Sequence, residues 1–420
     1  MTDLLSYDDA LRIILDTSAP LPSERRAPVD ALDRVLAAPV IAGEALPPFD
    51  NSAMDGYALA GDGVVPAGTE LDVRGEQAAG DDAVRAEGQA CAIMTGARVP
   101  DGFDRIVPVE RTEALAHGAD GTPSRIRLTA DVAPAANLRP AGSDVPQGDT
   151  VMHAGERVTP NHLMLLAALG VAEVAVAARP RAALLCTGRE LVDDPTQPLG
   201  PGQIRNSNAP FLAERLRRAG AEVVHVETVG DDIDAFLAAL QRARDAGAQM
   251  LLSTGAVSMG RYDFVPEALQ RLGGTALFHK VAIRPGKPLL YARLDDGLQW
   301  FGLPGNPISG AVGLRFFVEP ALRARVGLPP EQPLFVPLAH DYRVKPSLRF
   351  HLKARLGADA RGQLSVHILD GQESYRIRPL AAANCWVVIP AGHEQIHAGT
   401  PVAVYGPGHL EAPWPDTIPA

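Results

Sequence analysis

Apolar and polar residues are distributed differently in successive parts of the chain. Between Gly61 and Val132, short apolar segments alternate with Gly, Pro and Asp: Leu71 to Val73, Ala90 to Met94, Ile106 to Val109 and Ile126 to Leu128. That spacing predicts a small, mostly β domain. From Arg181 the pattern lengthens, with strands expected at Ala182 to Cys186 and Val223 to Val226 and helices at Pro210 to Ala219 and Ile233 to Ala246. Strands and helices alternating at this spacing predict a parallel sheet with helices on both faces. Met250, Leu251 and Leu252 run without alternation into Ser253-Thr254-Gly255, which reads as a strand buried on both faces and opening into a loop. The carboxyl edge of such a sheet is where open α/β folds bind ligands.

Outside this block the signals are shorter. Ser6 opens a helix with Asp9 three residues on and Leu11, Ile14 and Leu15 as its apolar face. Val29 to Val40 predicts a second short helical stretch. Thr159 and Pro160 lead into the apolar run Leu163 to Leu169, a capped helix stopped at Gly170 whose faces suggest burial or subunit contact. Beyond Gly327, the Pro-rich LPPEQPLFVPL marks a linker into a C-terminal β barrel or sandwich. Its strands are expected at Arg349 to Leu356, Leu364 to Ile368, Trp386 to Ile389 and Val402 to Tyr405.

Composition narrows the class. A length of 420 residues suggests about three domains. The formal charge of −11 argues against a duplex nucleic-acid partner, which demands a basic face. Cys91, Cys186 and Cys385 are far apart and lack CxxC spacing, so neither a zinc cage nor a disulfide framework is expected. The longest apolar stretch, Leu163 to Ala178, is broken by Gly170 and Glu173 and is too short to span a bilayer. Asp3, Asp8 and Asp9 stand where a signal peptide would be basic. A soluble, cytoplasmic protein is expected.

The candidate chemistry lies between Gln249 and Gly310. Two glycine-rich corners, STGAVSMGRYDF and FGLPGNPISG, flank the basic run HKVAIRPGKP. In the second corner Asn306 is placed to cap a helix that starts with Pro307, next to Pro304 and Gly305. Helix amides and an adjacent glycine suit an anion, and Lys280, Arg284 and Lys287 supply cations for a phosphate or another oxyanion. Asp263 adds a carboxylate through which a hard divalent cation could bridge to phosphate. Thr187, Gly188 and Glu190 end another strand at the same edge, as does Asp231, although Asp231 or Asp232 could also simply cap the next helix. Each corner alone also fits an ordinary turn. GxGxxG is absent, and the PGKP turn has neither Walker spacing nor a Ser or Thr after its Lys, which disfavours a generic nucleotide-binding enzyme.

With DNSAMDGYAL upstream, these motifs in this order resemble the MoeA and gephyrin E-domain family of molybdopterin molybdenumtransferases, over nearly the whole chain. The resemblance implies molybdenum insertion into adenylylated molybdopterin with release of AMP, or alternatively a paralogue handling tungstate or a molybdopterin-binding scaffold with weak activity. It implies a central molybdopterin-binding α/β domain with a mostly parallel sheet at 179–327 and an elongated domain built from 1–45 and 138–178. A small β domain at 46–137 and a C-terminal β barrel at 328–420 complete the expected architecture.

By the same resemblance, Asp55, Thr95, Asp144, Glu190, Asp231, Asp263, Lys280 and Arg284 form the catalytic set. Thr187, Gly188, Ser253, Gly255, Ser258, Lys287, Pro304, Gly305, Asn306 and Pro307 bind substrate. Arg284, Lys353 and Ser374 bind molybdate, and Glu190 and Asp263 hold Mg2+ or another divalent cation. A homodimer is implied, with Asp55, Thr95 and Asp144 supplied by the partner subunit, as is transient contact with a MogA-like adenylyltransferase. Neither nucleic acid nor membrane is an expected partner. The chain departs from the family pattern at Ala256, at Arg189 where an acidic residue is usual, at Arg284 where Lys is usual and at Lys353 where Arg is usual.

Overall fold

The computed structural model describes residues 4–82, 88–255 and 264–417. Two compact units emerge: 25–32 with 38–174, and 1–24 with 33–37 and 175–420. Among the described residues no helix is long and apolar enough to cross a membrane.

The first of these units is built on a six-stranded sheet. Its strands lie in the order Arg105–Pro108, Gly56–Leu59, Ala90–Ile93, Glu70–Gln77, Pro123–Leu128, Thr112–His117. Tyr57, Leu59, Leu71, Ala90, Val107 and Ile126 form its core. An exposed charge ladder crosses the last three strands, with Arg127 on the middle one meeting Glu70 at 2.8 Å and Glu113 at 3.1 Å. The stretch Val29 to Val40 is not a helix. Residues 28–33 form turns and Asp33 takes a positive φ of 63°, a conformation that stops helix propagation. The helix Pro160–Ala168 does form, with Thr159 and His162 in a capping box; it buries Leu166 and leaves Met164 80% exposed.

In the second unit, the strand Arg181–Thr187 pairs in parallel with Glu222–Val229 on one side and Met250–Thr254 on the other, and the latter pairs in parallel with Gln299–Leu303. Leu290–Arg293 and Thr275–His279 extend the sheet in antiparallel fashion, so it is mixed. The unbroken apolar runs have a direct cause. Ala182, Leu184, Met250, Leu252 and Phe301 face one core, whereas Ala183, Leu185, Leu251 and Trp300 face another. Helix Asn208–Arg218 covers the first face through Leu212 and Leu216, and helix Ile233–Asp245 the second through Phe236 and Leu240. Sequence order reverses on either side of Arg181–Thr187, so its carboxyl end and that of Met250–Thr254 flank a switch point.

The same unit carries a seven-stranded sheet around Arg349–Ala358, with Cys385–Ile389, Pro401–Tyr405 and Leu334–Pro337 following in turn and Leu364–Ile368 on the other side. A bridge from Leu338 to Val366 brings the two ends of this path together, as in a barrel. Phe350, Leu352, Ala354 and Leu356 point into its core, so His351 and Lys353 take the opposite face by strand alternation.

Candidate functional site

The carboxyl edge of the central sheet is a meeting of backbones. Gly255 has φ +85°, and a Cβ there would lie 2.4 Å from the Thr187 hydroxyl and 2.6 Å from the Thr187 carbonyl oxygen. No other residue fits without displacing the neighbouring strand end. A Cβ on Gly305 would lie 3.7 Å from the Gly255 Cα, so the corners that follow three separate strands converge. The Thr187 hydroxyl donates to the Thr254 carbonyl at 3.0 Å, locking two of them together. Asn208 donates to the Gly305 carbonyl at 2.8 Å and ties in the third. Pro304 and Pro307 bracket that corner, ending the strand and opening the helix Pro307–Gly313 behind Asn306.

Glu190 sits half-buried over Gly188, where a Cβ would come within 2.7 Å of its carboxylate. Asp232 caps the helix Ile233–Asp245 by accepting from the Ala235 amide, which leaves Asp231 for the edge, where it accepts from the Arg189 amide at 3.5 Å. The capping alternative is thereby resolved in favour of Asp232. Ser258, Asp263 and Ala256 lie outside the described residues. Among the described residues no group of three or more His, Cys, Asp or Glu is placed to hold a metal ion.

Several expected ligands are otherwise engaged. Ser253 is buried and its hydroxyl accepts from the Trp300 indole at 2.8 Å, so the side chain serves the core. The first helical amide of the GNP corner, Ile308 N–H, donates to the Ser374 carbonyl at 3.0 Å; it is satisfied within the protein. Ser374 thus contributes its backbone to that corner.

Lys353 is held among backbone carbonyls. It is fully buried, and its ammonium donates to the carbonyls of Gly371 at 2.7 Å and Arg376 at 3.1 Å. Burial holds its pKa below the ordinary lysine value. A cation so placed clasps the 371–376 loop.

The basic run divides in two. Lys280 adopts φ +85° and Lys287 accepts through its carbonyl from Val281 N–H at 2.9 Å, so both flank one tight bend beside the central sheet. Arg284 instead joins the barrel, where Ile283–Arg284 pairs with Arg349 and Phe350, and its guanidinium is exposed.

In the other unit, Asp55 precedes the strand Gly56–Leu59 and Thr95 follows Ala90–Ile93, two strands paired Gly56 to Ile93. Register therefore brings the two residues together. The Thr95 amide donates to Asp55 Oδ1 at 2.7 Å and its hydroxyl to the same oxygen at 3.0 Å. These bonds hold the Asp55 carboxyl below the usual carboxylate range, the backbone bond first. Gly56 is required by close approach, since a Cβ would lie 2.0 Å from the Val107 carbonyl oxygen. Asp144 is exposed on a neighbouring loop, its amide donating to the Leu46 carbonyl at 3.0 Å.

Sequence reading missed the asparagines. Asn206 donates to Asp193 and Thr228 and accepts from the Ala209 amide, fixing the excursion that carries Glu190. The signal was the NSN run before a helix, which reads only as a cap.

Three family models match successive parts of the chain. Residues 5–170 match the model of the MoeA N-terminal region (domain I and II), 183–324 that of a probable molybdopterin binding domain, and 336–406 that of the MoeA C-terminal region (domain IV). A molybdopterin molybdenumtransferase of Synechococcus elongatus is 40% identical over 412 residues, 96% of this chain and 99% of that one. One of Bacillus subtilis is 33% identical over 95% of this chain and 93% of its own. A crystal structure of a molybdopterin biosynthesis moeA protein from Pyrococcus horikoshii aligns with a TM-score of 0.79 at 26% identity, covering 96% of this chain and 99% of that one.

Proposed function

The chain belongs to the MoeA family of molybdopterin molybdenumtransferases, and from that premise we propose that it inserts molybdenum into adenylylated molybdopterin, consuming molybdate and releasing AMP. The observation that carries this reading is the convergence of Thr187, Gly255 and Gly305 at the switch point of the central sheet. Backbone packed this closely leaves room for a pyrophosphate against the chain, and the Gly305 and Asn306 corner with Lys280 and Lys287 supplies donors and charge for it. No covalent nucleophile is needed.

Glu190 has no ion-pair partner among the described residues, and oxygen donors of this kind suit a hard divalent cation. Glu190 with Asp263 would hold it, Asp231 standing at the same edge. When bound, such a cation withdraws charge from a phosphoanhydride.

Asp55, Thr95 and Asp144 are exposed and serve the cleft of a partner subunit in a homodimer, in the four-part domain arrangement given by the family. A cytoplasmic setting and transient exchange with a MogA-like adenylyltransferase complete the proposal. The test is reconstitution with adenylyl-molybdopterin, following AMP release on addition of molybdate or tungstate. AMP release stimulated by neither oxyanion overturns the reading, and stimulation by tungstate alone replaces molybdate with tungstate in it.

A further inference from the structure

Three aromatic rings of the unit that holds the central sheet stand open to solvent: Phe335 is 70% exposed, Tyr375 62% and Trp414 79%. Phe335 lies on the barrel strand Leu334–Pro337, and Trp414 precedes the final strand Asp416–Thr417. Tyr375 belongs to a segment bonded directly to the substrate corner. The Ser374 carbonyl that accepts from Ile308 N–H at 3.0 Å is part of the peptide bond joining Ser374 to Tyr375. The two Cα atoms are therefore only about 3.8 Å apart.

The segment that presents this ring is braced from several directions. Arg376 N–H donates to the Glu373 carbonyl at 3.1 Å, which puts Ser374 and Tyr375 at the two central positions of a β-turn. The side chains of the same two residues close the turn again, Arg376 Nε meeting the Glu373 carboxylate at 3.1 Å. Lys353 holds the carbonyls of Gly371 and Arg376 from within the protein. Gln372 spends its whole amide on the backbone: Oε1 accepts from Lys353 N–H at 3.1 Å, and Nε2 donates to the carbonyls of Lys353 at 2.9 Å and Leu369 at 2.7 Å. The Arg376 guanidinium lies 5.9 Å from the Tyr375 ring centroid, so a cation also flanks the ring.

Turn tips favour Gly, Asn, Asp and Ser, so the turn itself does not demand a tyrosine. A large flat ring held out on a braced turn loses little conformational freedom when another planar group settles on it. Across the Ile308 bond the corner is open, Gly305 and Asn306 both being exposed. Adenylylated molybdopterin carries adenine on one side of its pyrophosphate and the pterin on the other. With the pyrophosphate at the corner, a planar heteroaromatic ring leaves it in either direction.

We infer that Tyr375 is a stacking platform beside the substrate corner, on which one heteroaromatic ring of the adenylylated substrate rests while its pyrophosphate lies against Gly305 and Asn306. The inference rests on the reading of that corner as a pyrophosphate site. Stacking needs the face of the phenol ring and not its hydroxyl, because attraction and excluded water both scale with the overlapped planar area. Tyr375 is thus a binding residue that selects a planar group and takes no part in bond cleavage.

Equilibrium dialysis of the full chain against AMP, molybdopterin and inorganic pyrophosphate, each alone, tests this. Tyr375→Ala should weaken one of the two ring-bearing probes about tenfold or more and leave pyrophosphate, which has no ring, unchanged. Tyr375→Phe keeps the face and should bind as the wild type does, whereas Tyr375→Leu, apolar but not planar, should behave as Tyr375→Ala. A loss confined to AMP puts adenine on the ring, and one confined to molybdopterin puts the pterin there. Unchanged affinity of Tyr375→Ala for both probes overturns the platform. So does an equal loss in Tyr375→Phe, or a parallel loss of pyrophosphate, which would mean that Tyr375 acts through the shape of the corner. AMP release from adenylyl-molybdopterin separates this from the broader reading. If ring-dependent binding holds but no AMP is released with either oxyanion, the reaction is wrong and the platform stands. If AMP is released while Tyr375→Ala binds every probe as the wild type does, the platform is wrong and the reaction stands.

Discussion

Arg315 and Lys353 are cations with almost no exposed surface, whereas Arg284, Arg343 and Lys345 stand around an open cleft in the same unit. The buried group is completely partnered. Arg315 meets Glu331 at 2.6 and 2.9 Å and donates to the Gly406 carbonyl at 3.1 Å, while Glu319 lies 3.4 Å from Arg315 and 3.2 Å from Arg215 and accepts from the His409 amide at 2.8 Å. This network ties the helices Asn208–Arg218 and Glu319–Val326 to the segment after Pro401–Tyr405. In one region every charge is spent on the protein; in the other, charge is left for something else. Removing one member of the first should cost stability, and removing members of the second should cost little of it.

The largest effect is expected at Glu319. Glu319→Ala leaves Arg215 and Arg315 short of a shared, fully buried carboxylate, and should destabilise by about 3–5 kcal/mol in urea unfolding. A loss below about 1 kcal/mol would place the network among solvated pairs and erase the contrast.

Lys353→Met comes next, since it strips donors from the Gly371 and Arg376 carbonyls; about 2 kcal/mol is expected for such orphaned groups. Full stability together with lost molybdate affinity would instead put the ammonium in the cleft and move Lys353 across the comparison.

The third test uses pH. His409 is buried, its Nε2–H donates to the Ala219 carbonyl at 3.0 Å, and burial pushes its pKa down to about 3. His351 is fully buried beside Phe316 and Tyr7 and is likewise held well below the ordinary value. A depressed histidine binds its proton more readily when unfolded. Stability should therefore be constant above about pH 6.5 and fall as pH drops below it, by up to about 1.4 kcal/mol per unit for each histidine. His409→Gln should flatten that slope by one histidine's share, and parallel stability curves would show that His409 does not titrate on unfolding.

The smallest effect belongs to the exposed carboxylate of the other unit. Thr95→Val removes one of two bonds to Asp55 and should raise its pKa, so the acid limb of AMP release moves to higher pH by less than about one unit. An unmoved limb would mean that ionisation of Asp55 is not used in the reaction.

Much of the fold was legible because local pattern and tertiary environment agree. Met250-Leu251-Leu252 lacks alternation and does face two cores; Ser6 and Thr159 read as caps and cap their helices. Val29 to Val40 misled because apolar spacing alone does not reveal a positive φ at Asp33. Asp55 and Thr95 were each named by resemblance, but their pairing depends on a strand register between residues forty positions apart. The asparagines that brace the substrate corner were hidden because their partners, Asp193, Thr228 and Gly305, are distant in sequence.

The sequence by itself determined which segments bury both faces, where glycine and proline break strands, and which residue types could serve an anion. These follow from hydrophobic period and backbone sterics, which are local. The tertiary structure alone decided which charges remain for function. Lys353 and Arg284 are both cations of an expected oxyanion set, yet one is enclosed by carbonyls and the other faces an open cleft. Whether a cation is consumed depends on the chain segments folded against it, and a long-range contact of that kind leaves no mark on the residues beside it in sequence.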